Sequence, residues 1–155
     1  LTLGTVGWLG GSWLQSQTWF TLRRDLIIVL GCVLAAVGVG IVALPAWFPG
    51  IWLGTVVFGW SIAGIGMGLC VPSGTLAVLQ LSAATTQGRN TSSLIVFESV
   101  GNAAWMGVAG SLLAAARAVD MLDAGYRGAF TFCAGAALVA ALLALRIGPV
   151  RLDSR

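Results

Sequence analysis

The sequence predicts an all-α, polytopic transmembrane bundle of about five helices. Of its 155 residues, 58% are hydrophobic and only 8% are charged, whereas a soluble domain usually carries about a quarter charged residues. The apolar residues also gather in blocks about as long as the 17 to 25 residues with which a helix crosses the bilayer core. Four such blocks occupy residues 26–44, 51–79, 94–116 and 129–145.

A shorter apolar segment precedes these blocks at residues 1–14. As a helix it would be about 21 Å long, which is less than the ~30 Å thickness of the hydrocarbon core. The sequence starts at Leu1, without an initiator methionine and without a basic region ahead of the apolar residues. We therefore expect this segment to be the end of a span whose beginning is missing, and the chain to be a fragment.

The block at residues 26–44 is followed by PAWFPG, residues 45–50. Proline interrupts a helix interior because it lacks the backbone N–H, and the aromatic residues between the two prolines suit the level of the lipid headgroups. We expect Pro45, Pro49 and Gly50 to form a tight turn at the outer membrane interface.

The block at residues 51–79 is longer than one straight span and contains Pro72 near its cytoplasmic end. A proline removes a backbone hydrogen bond, and neighbouring side chains can satisfy the groups that it frees. The sequence predicts a kink or break at Pro72, with Cys70, Ser73 and Thr75 compensating for the lost bond. Interrupted helices of this kind are common in transporters.

The block at residues 94–116 carries a single carboxylate, Glu98, inside the run SSLIVFESVGNAAWMG. A charge at the bilayer centre costs about 2.5 to 3.5 kcal/mol on insertion scales, so Glu98 should face protein or water. Asn102 and Trp105 follow at i+4 and i+7 on the same helical face. A buried carboxylate can alternate between its protonated and charged forms, which suits proton coupling or a cationic substrate. The alternative is a structural role, with Glu98 meeting water or pairing with Arg89.

Two tryptophans lie near mid-depth, away from the interfaces where this residue usually gathers. They are Trp60 in the block at residues 51–79 and Trp105 in the block at residues 94–116. Both can line a cavity by stacking on an apolar or cationic substrate. The alternative is that they fill space against lipid or neighbouring helices.

Arginines in the short loops predict the orientation of the bundle. Six of the eight arginines fall on one side and two on the other, which places the C-terminus in the cytoplasm. The densest charge cluster is Arg23, Arg24 and Asp25. It is interpreted either as a gating latch between helices or as a topology anchor in which Asp25 lies at the positive end of the next helix dipole.

Two polar stretches are predicted to be loops. SAATTQGRNTSS, residues 82–93, should be cytoplasmic, with serines and threonines that cap the helix after it. On the opposite side, residues 117–127 hold two arginines and two aspartates whose charges cancel.

Several small residues are spaced for close helix packing. Gly7 with Gly11, Gly64 with Gly68, and Ala103 with Gly107 each form a small-x-x-x-small pair, which lets helix backbones approach closely in lipid. The alternative is chance, because the chain contains 22 glycines. The pairs favour packed helices over isolated anchors.

Residue types that the chain lacks exclude several functions. It has no histidine, which excludes His-based metal sites and His-dependent catalytic triads. Cys32, Cys70 and Cys133 lie in different apolar segments without C-x-x-C spacing and are interpreted as small buried hydrophobes. No pattern of an intramembrane enzyme is present, and the arginines form no basic stripe for nucleic acid. We expect no enzyme activity, no catalytic residue, no metal and no cofactor.

The order of these features resembles the C-terminal part of a major facilitator superfamily transporter, about its eighth to twelfth helices. The resemblance rests on the truncated span, the loop QSQTWFTLRRD, the short outer turn, and GIGMGLCVPSGTLAVLQL running into QGRNTSSLIVFESVG. In such proteins the loop after the eighth helix often holds a Gly-x-x-x-Asp motif with basic residues. Here Gly11 matches the glycine, Gln15 stands in place of the acid, and Arg23 and Arg24 come later than in that motif.

The resemblance is strongest to the drug and metabolite exporters of the superfamily, many of which are proton antiporters. It implies a partial major-facilitator fold in which residues 1–155 are the C-terminal portion of a transporter domain, and the missing N-terminal half completes the cavity. Glu98 would be the proton or cation site, with Asn102, Trp105 and Trp60 lining that cavity. The partners would be the lipid bilayer of the cell membrane, a small-molecule substrate and the proton, with no nucleic acid. The alternative is a non-transporting subunit or scaffold that packs against partner helices.

Overall fold

The computed structural model describes residues 2–17, 22–48 and 50–148. Within these residues the chain forms five helices and no strand, which confirms the all-α prediction. The helices are α1 (Thr2–Ser16), α2 (Arg24–Trp47), α3 (Gly54–Leu81), α4 (Gln87–Ala118) and α5 (Leu122–Ala144). Three of them, α2, α3 and α5, are long and apolar enough to cross a membrane. A membrane-embedded helical bundle is therefore supported.

The other two helices differ from this group in opposite ways. Helix α1 has 15 residues, and a helix of that length is about 22 Å long. Helix α4 has 32 residues and is long enough, but polar side chains such as Glu98 and Asn102 make it less apolar. The four long blocks of the sequence thus correspond to three candidate spans and one long, more polar helix.

Helix α3 lies at the centre of the bundle. It packs between α1 and α2, and α2 also packs against α5. Ile28 of α2, Ala77 of α3 and Ala144 of α5 form a buried cluster where these three helices meet. Helix α4 contacts α5 and α3 sparsely and buries none of its residues. Most of the described packing is therefore made by the other four helices.

Glycines bring the backbones of α1 and α3 into direct contact. A Cβ added to Gly7 would lie 2.5 Å from the carbonyl oxygen of Ser61 on α3, and one added to Gly11 would overlap the carbonyl oxygen of Ile65. In return, a Cβ on Gly64 or Gly68 would overlap carbonyl oxygens of α1. The first two predicted small-x-x-x-small pairs therefore face each other.

The third predicted pair, Ala103 and Gly107, does not pack in this way within the described chain, since Gly107 has no neighbouring atom within 4 Å of an added Cβ. Instead, α2 contributes glycines that the sequence analysis did not pair. A Cβ on Gly31 would lie 2.7 Å from the carbonyl oxygen of Gly66, and one on Gly38 would lie 2.6 Å from that of Gly59. Both faces of α3 are thus closely packed through glycine.

The cysteines are free and half-buried. A Cβ added to Gly31 of α2 would lie 2.8 Å from the Cβ of Cys70 on α3, so Cys70 packs beside the part of α2 that carries Cys32. The sequence placed all three cysteines in separate segments, and the packing of α2 against α3 brings two of them together.

Pro45 does not end α2, which continues to Trp47, so the prediction that this proline breaks the helix is wrong. A proline near a helix end removes the bond to one preceding carbonyl only, and the remaining turn can still form. Phe48 N–H donates to the carbonyl oxygen of Leu44 at 2.9 Å, which closes that turn. Gly50 adopts a positive φ of 109° in the connection, whereas Pro49 lies outside the described residues.

The two polar stretches predicted as loops are mostly helical. Helix α4 begins at Gln87, and its N-cap residue, Thr86, makes no side-chain capping bond. Two side-chain bonds cross this connection instead: Asn90 Nδ2 donates to Ser82 Oγ at 2.7 Å, and Gln87 Nε2 donates to the carbonyl oxygen of Leu79 at 3.0 Å. At the other end, α4 and α5 are separated by three residues, of which Asp120 has a φ of 55°. Both loops were predicted too long because polar residues also occupy the ends of α4 and the start of α5.

Candidate functional site

Trp60 lies on α3 beside two apolar cavities. A Cβ added to Gly4 of α1 would lie 2.5 Å from Nε1 of the indole, so the glycine makes room for this ring. The cavities have volumes of about 550 and 510 Å³, within the ~300 to 1,000 Å³ typical of small-molecule sites. Residues from α1, α2, α3 and α5 form their walls, and Trp60 lines both. Because Trp60 is still 40% exposed, an apolar ligand can reach it.

The predicted stripe of Glu98, Asn102 and Trp105 lies along α4, and all three residues are exposed. Within the described chain Glu98 makes no ion pair, so it is not joined to Arg89. Neither cavity beside Trp60 has an α4 residue in its lining. The structure therefore places the predicted site residues in two regions, with Trp60 inside the bundle and the stripe on the exposed side of α4.

Trp105 holds α4 against α5. Its ring centroid lies 4.5 Å from that of Phe132, and the ring planes are tilted by 50°, a geometry that aromatic pairs favour. The ring of Trp105 is 45% exposed. Both interpretations of this residue thus have a basis, because one part of the ring packs against a neighbouring helix and the rest is free to contact a ligand.

The charge cluster is at the start of α2. Arg23 donates from Nη2 to Oδ2 of Asp25 at 2.7 Å and from Nε to Oδ1 at 3.1 Å. Asp25 is buried in the first turn of the helix, where the dipole favours a carboxylate. Arg24 is half-buried and its Nε has no hydrogen-bond partner among the described residues. This ion pair joins residues two positions apart in sequence, and the anchor and the latch between helices both stay predictions.

Pro72 lies inside α3, which continues through it without a break. The proline has no N–H to donate to the carbonyl of Gly68, four residues earlier. That carbonyl instead accepts hydrogen bonds from two side chains of α1, Ser12 Oγ at 3.2 Å and Gln15 Nε2 at 3.0 Å. Of the predicted kink or break, the helix shows no break, because a neighbouring helix satisfies the group that the proline frees, and the kink stays a prediction.

The side chains predicted to compensate for the proline bond to other groups. Thr75 and Cys70 donate to carbonyl oxygens of their own helix other than that of Gly68, at 3.3 and 3.8 Å. Ser73, which is 0% exposed, donates from Oγ to Oε1 of Gln15 at 2.6 Å. Its part in the compensation is therefore indirect, through the α1 side chain.

Gln15 is the residue whose role the sequence analysis missed. Its amide group uses both ends, donating to the Gly68 carbonyl and accepting from Ser73. We refer to Ser12, Gln15, Gly68 and Ser73 as the proline lock. A signal for it exists in the sequence, since the residue four before Pro72 is a glycine of a small-x-x-x-small pair, and α1 carries a serine and a glutamine three residues apart beside its own glycine pair.

No group of three or more His, Cys, Asp or Glu side chains in the described ranges is placed to hold a metal ion. Comparison of the chain with known proteins found no matching family model, no matching curated protein and no matching solved structure. What the chain does is therefore argued from its bundle, its cavities and its charged residues.

Proposed function

We propose that the chain is the C-terminal portion of a secondary active transporter of the major facilitator type, which exports small drug-like or metabolite molecules in exchange for protons. The observation that carries this proposal is the pair of apolar cavities beside Trp60, within a bundle that contains three candidate spans. Cavities of this size and lining suit amphipathic small molecules. The protein would act in the cell membrane with its C-terminus in the cytoplasm.

Glu98 supports the coupling part of the proposal. It is the carboxylate nearest the middle of α4, a helix long enough to cross the bilayer, and ionisable groups at such positions commonly mark ion or proton pathways. In the described chain it is exposed and without an ion pair. In the proposed transporter, Glu98 and Asn102 would face the cavity that the N-terminal half completes.

A second function is favoured by the exposure of α4. A helix of 32 residues with none of them buried is suited to pack against another integral membrane protein. On this alternative the chain is a subunit or scaffold that transports nothing, and the partner covers Glu98. Stable co-purification with a different membrane protein, together with indifference to substitution of Glu98, would favour it.

Replacing Glu98 with glutamine is the test of the proposal. Glu98→Gln keeps the size of the side chain and removes its titration, so we expect proton-driven export to fall to background and its pH dependence to disappear. Glu98→Asp should keep part of both. The measurement is efflux of a fluorescent amphipathic substrate from vesicles containing the full-length protein, energised by an imposed pH gradient.

Ser99→Ala is the matched control, because Ser99 is the exposed neighbour of Glu98 and its hydroxyl bonds within α4, to the carbonyl oxygen of Ile95 at 2.8 Å. It should transport at the wild-type rate. If Glu98→Gln also exports at the wild-type rate and with wild-type pH dependence, Glu98 is not the coupling site.

A further inference from the structure

Arg127 is fixed to the end of α2. Its Nε donates to the carbonyl oxygen of Ala46 at 2.7 Å, and its guanidinium carbon lies 5.7 Å from the ring centroid of Trp47, within the range of a cation–π contact. Among the described residues, its terminal nitrogens make no hydrogen bond and no ion pair. A half-buried, oriented guanidinium with spare donors therefore lies at the junction of α2 and α5.

Asp123 lies one turn before Arg127 on α5 and lines the same cavity. Residues four apart on a helix are close enough to pair, yet these two form no ion pair in the described part of the chain. Asp123 is also exposed. The cavity thus holds one carboxylate and one guanidinium, and each is free to bind a group of opposite charge.

This cavity has a volume of about 410 Å³, and apolar residues of α2, α3 and α5 line it beside the two charged side chains. Three of its lining residues, Val42, Val56 and Phe130, also line the cavity of about 550 Å³ beside Trp60. The two cavities therefore adjoin at these residues, and we refer to them together as the groove, with its polar end at Asp123 and Arg127 and its apolar end beside Trp60.

The place of the polar end near the start of α5, a candidate span, suits the level of lipid headgroups. Asp123 and Arg127 are in the first two turns of α5, within about 9 Å of its first residue at the helical rise. Trp47 and Tyr126 lie beside them, and aromatic residues of this kind gather at the membrane interface. The apolar end then runs along the helices toward the bilayer centre.

We propose that this groove binds one phospholipid that carries a zwitterionic headgroup with a primary ammonium. The free donors of Arg127 bind the phosphate, as guanidinium groups do well, and Asp123 accepts a hydrogen bond from the ammonium. An acyl chain lies along Val42 and Val56 toward Trp60. The role goes beyond transport and does not depend on Glu98.

The charges of Asp123 and Arg127 determine which class of lipid headgroup binds best. An anionic headgroup would bind Arg127 but would be repelled by Asp123. A choline headgroup has a quaternary ammonium without an N–H, so it cannot donate to the carboxylate. We therefore expect binding in the order ethanolamine, then choline, then glycerol headgroups for lipids with the same acyl chains.

Native mass spectrometry of the purified full-length protein, titrated with each lipid, measures the affinity for each headgroup directly. We expect Arg127→Gln to weaken binding of phosphatidylethanolamine about tenfold or more, the effect of losing a charged hydrogen-bond partner. The matched control is Arg117→Gln, because Arg117 is an exposed arginine at the end of α4 and should leave binding unchanged. Equal losses in the two variants, or none in either, would overturn the proposal.

Asp123→Asn tests the site without disturbing the bond between Arg127 and α2. We expect it to lower the preference for phosphatidylethanolamine over phosphatidylglycerol about tenfold, with Asp120→Asn as the control that keeps the wild-type preference. A wild-type protein that prefers phosphatidylglycerol, or an Asp123→Asn protein with an unchanged preference, would exclude a zwitterionic headgroup. Both lipid readouts are independent of export, so they can fail while the transporter proposal stands.

Discussion

Gly11→Val is expected to separate α1 from α3 and to lower the free energy of unfolding by about 2 to 3 kcal/mol, the cost of forcing extra atoms into a closely packed contact. A Cβ at this position would overlap the carbonyl oxygen of Ile65 and lie 3.2 Å from backbone atoms of Gly68. These are backbone atoms of a helix, so no side-chain rotation can make room. The change can be measured by titrating the protein in mixed micelles with denaturing detergent and following helix content.

Gly10→Val is the matched control. Gly10 is the adjacent residue of the same helix, and a Cβ added there meets no atom within 4 Å. Both variants exchange glycine for the same β-branched residue, so their intrinsic effects on helix formation are equal. We expect Gly10→Val to unfold at nearly the wild-type detergent concentration, and equal destabilisation by the two variants would show that α1 does not approach α3 as closely as described.

The glycine spacing shows how much of the packing can be predicted from sequence. Small residues four apart identify a helix face that another backbone can approach, and Gly7 with Gly11 and Gly64 with Gly68 do form such faces. The spacing does not say which faces meet, or whether a partner is present. Ala103 and Gly107 have the same spacing, but they lie on α4, where the described chain provides no closely packed helix.

Helix boundaries were predicted less well because apolarity marks the apolar blocks, whereas the helices extend beyond them into polar residues. Asp123 and Arg127 were assigned to a loop for their charge. Both lie in α5, where an acidic residue in the first turn is stabilised by the helix dipole and the arginine bonds to the end of α2. The fold class and three candidate spans follow from apolarity, whereas helix ends depend on contacts between segments far apart in sequence.

The residues of the candidate site could also be predicted only in part from the sequence. Glu98 and Trp60 could be singled out because a carboxylate and a mid-depth tryptophan are unusual in apolar helices, and their proposed roles stay predictions. Gln15 could not be interpreted correctly from α1 alone. Its partners are more than 50 residues away, and its role depends on a hydrogen bond that Pro72 leaves unmade on another helix.

Breaking the proline lock is expected to destabilise the bundle as well. Gln15→Leu keeps an apolar side chain of similar size and removes both bonds of the amide, which leaves the hydroxyl of the fully buried Ser73 without its partner. We expect the free energy of unfolding to fall by about 2 kcal/mol. This value lies between the cost of an unpaired buried polar group and the modest strength of hydrogen bonds in membrane proteins. Gln17→Leu is the control, because the Gln17 amide bonds within the α1 segment, to the carbonyl oxygen of Trp13 at 3.4 Å, and it should change stability by less than about 0.5 kcal/mol.

Pro72→Ala decides whether the lock exists because of the proline. Alanine restores an N–H four residues after Gly68, so the helix can satisfy that carbonyl by itself and the α1 side chains become less important. In the Pro72→Ala protein we therefore expect Gln15→Leu to lower the free energy of unfolding by only about 1 kcal/mol, which is the cost of leaving Ser73 without its partner. The difference from the loss in the wild-type protein is a coupling energy of about 1 kcal/mol in a double-mutant cycle. The same unfolding titration in mixed micelles measures all four proteins of the cycle. Strictly additive losses would mean that Gln15 stabilises the contact between α1 and α3 independently of the proline, and that the carbonyl of Gly68 is satisfied in some other way.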